Sequence, residues 1–188
     1  MGSPKPLLEW RGESFLARVV RALREGGCAE VVVVTGPETE EVPRKIAAEA
    51  LAAGARLAVN PRLGGEPIDS LRAGLALLGP EAEAAVVSPA DVPGIDPETV
   101  RALVAAFRRG GAPIVLPVHG GRHGHPGLFS RAVWPELFAE PLPEGAHTVI
   151  AAHREELEEV PVESPRILQD VNTPDDYRRL REGEDAGG

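Results

Sequence analysis

Apolar residues recur along this chain in short blocks whose spacing alternates between helical and extended periods. Ser14 is placed to cap a helix over 15–25, where Phe15, Leu16, Val19, Val20 and Leu23 share one side and Gly26-Gly27 stops it. The β-branched run Val31-Val32-Val33-Val34 reads as a strand covered on both faces, turned by Thr35-Gly36-Pro37. A helix over about 41–53 follows, with Pro43 in its first turn, and then a short strand, Leu57-Ala58-Val59, ending at Asn60-Pro61. Ile68, Leu71, Leu75 and Leu78 have the spacing of a helix that Gly79-Pro80 closes.

The second half repeats the alternation. Residues 84–88 read as a buried strand, and Asp96 followed by Pro97 predicts a helix to Arg109 closed by Gly110-Gly111. A strand is expected over 113–118, a glycine- and histidine-rich loop over 119–127, helices over 131–139 and 146–153, and a late strand over 158–162. Pro174-Asp175-Asp176-Tyr177-Arg178 opens a last helix with acids in its first turn. Strand–helix alternation of this kind predicts an α/β fold with a mostly parallel sheet and helices on both faces. Residues 1–182 read as one domain and 183–188 as a loose tail; 1–12 read as Pro-rich loop, so no strand precedes the first helix.

Composition narrows the function. Aromatics are only 4% of the 188 residues, so the core rests on Val, Leu, Ile and Ala. A net charge of -9 argues against a nucleic-acid partner, which needs a basic footprint, but not against a single nucleotide whose charge a divalent ion carries. Cys28 is the one cysteine, which excludes an intrachain disulfide framework and points to a reducing, cytoplasmic compartment. No run reaches transmembrane length, so no membrane partner is expected; oligomerisation stays open.

Two acidic loops carry the candidate chemistry. Pro89-Ala90-Asp91-Val92-Pro93 follows a buried strand, and Asp170-Val171-Asn172-Thr173-Pro174 precedes a helix. In an open α/β sheet, ligands bind in the crevice beyond the carboxyl ends of the strands. Few, hard oxygen donors suit Mg²⁺ shared with substrate phosphates. His119, His123 and His125 lie close together in sequence, but no Cys or acid stands beside them, so zinc is the weaker reading of that stretch.

Taken in order, Gly2-Ser3-Pro4-Lys5-Pro6-Leu7-Leu8, Thr35-Gly36, Asn60 with Ser70-Leu71-Arg72-Ala73-Gly74, Pro89-Ala90-Asp91-Val92-Pro93, Gly124-His125-Pro126 and Asp170-Val171-Asn172-Thr173-Pro174-Asp175-Asp176-Tyr177 resemble the MobA-like NTP transferases. That family includes molybdenum-cofactor cytidylyl- and guanylyltransferases. The resemblance implies a three-layer α/β/α, Rossmann-like fold of the GT-A type. It also implies transfer of NMP from CTP or GTP to a phosphorylated acceptor such as molybdopterin, with release of pyrophosphate.

Residue by residue, the resemblance gives Lys5 contact with the NTP phosphates, while taken alone Lys5 reads as a surface lysine. It makes Asp91 a metal-binding and catalytic aspartate, with Asp170 and Asn172 as further Mg²⁺ ligands, Asp170 ahead of Asn172. The alternative for the latter pair is capping of the helix after Pro174. Asn60, Ser70 and Gly74 would line the nucleotide pocket, the first two reading equally as a turn former and a helix-start residue. Gly124 and His125 would lie on the acceptor side. Gly145-Ala146-His147 stands where the family often has Gly-Ala-Arg, which opens the identity of the acceptor.

Family members also carry a strand and a loop resembling Leu-Ala-Ala-Gly-x-Ser-x-Arg ahead of the Met-Gly that begins this sequence. The expectation is an in-frame upstream strand, Gly-rich loop and Arg before Met1. A non-catalytic nucleotide-binding module and a metal-dependent sugar transferase on the same scaffold are the rival readings.

Overall fold

The computed structural model describes residues 4–37, 39–62 and 65–185. The Gly2-Ser3 part of the opening motif and the end of the expected tail, 186–188, lie outside the described residues. A 3₁₀ turn, Lys5–Leu7, leads into a hairpin of β1 (Glu9–Trp10) and β2 (Glu13–Ser14), so the expectation that no strand precedes the first helix is corrected. These strands are two residues each, too short to leave a periodic signal.

Ser14 then accepts from the Ala17 amide at 3.0 Å and starts α1 (Phe15–Glu25), as its residue type predicts. The chain continues through β3 (Val32–Thr35), α2 (Glu41–Ala52), β4 (Arg56–Val59), α3 (Pro67–Leu77), β5 (Ala84–Val87) and α4 (Pro97–Gly110). Asp96 caps α4 by accepting from the Thr99 amide at 2.7 Å. Next come β6 (Ile114–His119), β7 (Arg122–His123), β8 (Gly127–Ser130), α5 (Trp134–Phe138), α6 (Ala146–Ala152), β9 (Glu158–Pro161) and α7 (Pro174–Asp185). The last helix extends into the segment expected to be a loose tail.

The stretch 119–127 is not a loop throughout. Gly120 and Gly121, both at positive φ (+57° and +75°), form a two-residue turn that pairs His119 with Arg122. β8 then runs antiparallel between β5 and β6, every residue of it buried. Consequently β5, β6 and β9 point one way and β8 is reversed among them, which makes the mostly parallel sheet a mixed one.

Side-chain alternation on the strands builds the layers. Ile114, Leu116 and Phe129 turn to α3, α5 and α6 in one core cluster, while Val115 and Leu128 meet Leu103 and Ala106 of α4 on the other face. Leu16, Val19 and Val20 of α1 share a further cluster with Val31, Val33, Val100 and, at its margin, Val86 of β5. The result is a three-layer α/β/α architecture. Among the described residues, β3 pairs only with β4, and no backbone bond joins that pair to the β5 sheet. No helix of the described residues is long and apolar enough to cross a membrane.

Candidate active site

Pro4 and Pro6 flank Lys5 in the opening 3₁₀ turn and fix the backbone from which its side chain extends. The ammonium donates to Asn172 Oδ1 at 2.8 Å and lies 3.5 Å from Asp91 Oδ2. Asp91 follows β5, and the Val171 amide donates to the Asp91 carbonyl at 3.3 Å, so the two acidic loops are stitched together by their backbones. Lys5 and Asp91 are each about one-third exposed (34% and 29%), open enough to meet a solute.

The cap of α7 is made by other residues than the sequence alternative supposed. Thr173 Oγ accepts from the Asp176 amide at 3.1 Å, and Asp176 Oδ2 accepts from the Thr173 amide, the Thr173 hydroxyl and the Asn172 amide. These bonds, the Thr173 hydroxyl foremost, hold the Asp176 carboxyl down at about 2. Asn172 therefore keeps its side chain for Lys5. Asp170 makes no hydrogen bond or ion pair among the described residues, and its charge is felt at His125.

His125 is half-buried, its amide donating to the Ile167 carbonyl at 2.8 Å. Burial pushes its imidazole below the ordinary range; Asp170 and Asp91 oppose that shift and His147 adds to it. Gly124 permits the close pass beside it, because an added Cβ would sit 2.4 Å from the Ile167 carbonyl oxygen. The histidines do not converge. His119 Nδ1 lies 3.0 Å from the Val162 carbonyl, His123 Nε2 lies 2.7 Å from Glu159, and among the described residues no three His, Cys, Asp or Glu side chains could close on one metal ion.

Asn60 and Ser70 meet each other, Asn60 Nδ2 donating to Ser70 Oγ at 3.1 Å, while Asn60 Oδ1 accepts from the Arg62 amide. No hydrogen bond among the described residues ties this pair to Lys5. Gly74 serves packing: a Cβ there would lie 3.1 Å from Val34 Cγ2, so its absence lets α3 approach β3.

One feature escaped sequence reasoning. A cavity of about 630 Å³ is lined by His123, Glu144, His147, Arg154 and Glu159, with Ile150, Ala151 and Leu157 as its apolar part. The signal was present as helical spacing: His147, Ile150, Ala151 and Arg154 fall on one face of α6 and its continuation.

The donor set can be tested against the divalent ion that the fold implies. Asp91 and Asn172 offer hard oxygens that already focus on one cation, the Lys5 ammonium. Oxygen donors completed by phosphate and water are the usual surroundings of Mg²⁺, so the residues fit such an ion.

The chain resembles the crystal structure of Rv0371c from Mycobacterium tuberculosis H37Rv, with a TM-score of 0.79 at 28% identity, covering 97% of this chain and 90% of that one. The manganese complex of Rv0371c gives 0.77 at 29% identity, over 96% and 93% of the two chains. A 2-C-methyl-D-erythritol 4-phosphate cytidylyltransferase of Saccharopolyspora erythraea is 40% identical over 121 residues, 62% of this chain and 52% of the relative. The matched region spans about half the length of such curated relatives. The profile of the MobA-like NTP transferase domain matches residues 1–158, and the chain therefore belongs to that family.

Proposed function

We propose that this protein transfers NMP from an NTP, CTP or GTP, to a phosphorylated small-molecule acceptor. An oxygen of the acceptor phosphate attacks the α-phosphorus, a new P–O bond forms, and the α–β bridge breaks with its electron pair leaving on pyrophosphate. The observation that supports this reading is the Lys5 ammonium held between Asp91 and Asn172 where two loops meet.

The chemistry asks little of a general base. A phosphate monoester has its second pKa at about 6, so the attacking oxygen is already anionic at neutral pH. What the reaction needs is alignment and charge screening. Lys5 supplies a mobile positive charge that can leave Asn172 for the polyphosphate and follow charge onto the leaving group. Mg²⁺ held by Asp91 with Asn172 and Asp170 would screen the phosphates. His125, kept neutral, can hydrogen-bond an acceptor without adding charge, and His147 leads from it toward the cavity of Arg154. That cavity is the place for the acceptor's non-reacting part.

The test is a matrix of four NTPs against acceptors, with Mg²⁺ or Mn²⁺, read as pyrophosphate. 2-C-methyl-D-erythritol 4-phosphate and molybdopterin are the acceptors to include. Nucleotide binding without pyrophosphate in any combination would favour a binding module, and release of a nucleoside diphosphate from a sugar nucleotide would favour a sugar transferase.

A further inference from the structure

Apart from the Lys5 cluster, positive charge gathers around one indole. Trp10 is 3% exposed and belongs to a small core with Leu8, Phe15 and Val171. Three guanidinium carbons lie over its ring, those of Arg18, Arg11 and Arg166 at 4.3, 4.9 and 5.5 Å from the centroid. Arg21 adjoins them through Glu13, which accepts from it at 3.1 Å and lies 3.6 Å from Arg18. On a chain of net charge -9 this is a local reversal of sign.

Two donors at this ring, the Trp10 indole N–H and the Arg166 guanidinium, have no acceptor among the described residues. Trp10 Nε1 is buried with no hydrogen-bond partner among the described residues, an unfavourable state for a donor. Arg166 is exposed, and its guanidinium makes no hydrogen bond or ion pair among the described residues, lying instead against the indole. Mutual repulsion among guanidiniums would be relieved by a multivalent anion, and their planar forks match tetrahedral oxyanions. The group rests on the loop that carries Asp91: Arg18 Nε donates to the Pro93 carbonyl at 3.4 Å, and the Arg166 stem packs on Gly94, where an added Cβ would meet it at 2.7 Å.

We propose that Arg18, Arg166 and Trp10 form a binding site for a phosphate-class oxyanion, separate from the Lys5 centre and braced against the Asp91 loop. The site is independent of the nucleotidyl-transfer reading, since it needs neither nucleotide nor divalent ion. Either free phosphate or pyrophosphate has the required chemistry.

The experiment uses the full chain carrying Trp134→Phe, which leaves Trp10 as the single tryptophan. It is titrated separately with inorganic phosphate and with pyrophosphate, without nucleotide or divalent ion, at ionic strength fixed with chloride. A saturable change in Trp10 emission is expected, weakened at least tenfold by Arg166→Gln and retained in Lys5→Met. Tenfold tighter binding of pyrophosphate identifies a product site, whereas equal affinities identify a general phosphate site. A non-saturating response, an unchanged affinity in Arg166→Gln, or loss of binding in Lys5→Met would each overturn the proposal. Should Trp134→Phe fail to fold, calorimetric titration of the parent, Arg166→Gln and Lys5→Met gives the same comparison.

Discussion

The Lys5 ammonium donates to Asn172 at 2.8 Å, joining residues 167 positions apart in the chain. Substituting Lys5 by Ala removes the mobile charge from a side chain that is about one-third exposed. Pyrophosphate release should fall on the order of 10²–10³-fold in kcat, the usual cost of one lost transition-state donor. Stability should stay within about 0.5 kcal/mol of the parent in urea unfolding. Equal loss of activity and stability would show that Lys5 is structural.

Asp91→Asn keeps the shape of the loop and removes its charge. Mn²⁺ affinity, followed by calorimetry or by paramagnetic resonance of the free ion, should weaken at least ~10-fold, because a carboxamide is a poorer ligand for a hard cation. Asp170→Asn should have a smaller effect, because Asn172 rather than Asp170 shares the Lys5 ammonium with Asp91. A larger loss in Asp170→Asn would reverse the order of the two ligands.

Gly124→Ala drives a methyl to 2.4 Å from the Ile167 carbonyl oxygen, which is backbone and cannot step aside. Overpacking of this kind costs about 1–3 kcal/mol. Chemical unfolding should show that loss, and because the adjacent His125 amide bonds the same carbonyl, the acceptor KM should rise with it.

His153 Nε2 lies 2.9 Å from both oxygens of Glu136, and Nδ1 lies 3.4 Å from Glu156. The Glu136 hydrogen bond, chief among the causes, raises the imidazole above its ordinary 6.5. A raised value in the folded state means that folding favours the protonated form. The stabilisation is fully present below about pH 6.5 and is lost as pH rises through the folded value. The urea midpoint of the parent minus that of His153→Gln should therefore shrink as pH is raised from 6 to 8. A constant difference would show that the carboxylates do not act through charge.

Much of this fold was legible because helices announce their ends: Ser14, Asp96 and Gly111 stand at the observed caps of α1 and α4. Strands covered on both faces were legible where β-branched residues ran together, as in 32–34. β8 was not, because Gly127-Leu128-Phe129-Ser130 is short, follows a glycine-rich stretch and shows no alternation. Its reversed direction depends on which neighbours it reaches, and local spacing does not encode that. At the site, the ordered motifs pointed to Lys5, Asp91 and Asn172, which the structure brings together. Spacing also suggested a histidine cluster, but the turn at Gly120-Gly121 and the pleat send its members to Val162, to Glu159 and toward Asp170.

Among the described residues β3 and β5 share no ladder, and this bears on how the β3–α2–β4 unit opens. Among the described residues, the β3–α2–β4 unit meets the rest through the apolar cluster beneath α1, with the Ser14 hydroxyl donating to Glu49 and Arg24 to the Gly54 carbonyl. Such a unit can open by losing side-chain contact without first breaking sheet hydrogen bonds. Amide hydrogen exchange should accordingly divide the chain, with 32–59 exchanging at a lower free energy than β6 and β8, and a single shared value would show that α1 alone locks the two sheets together.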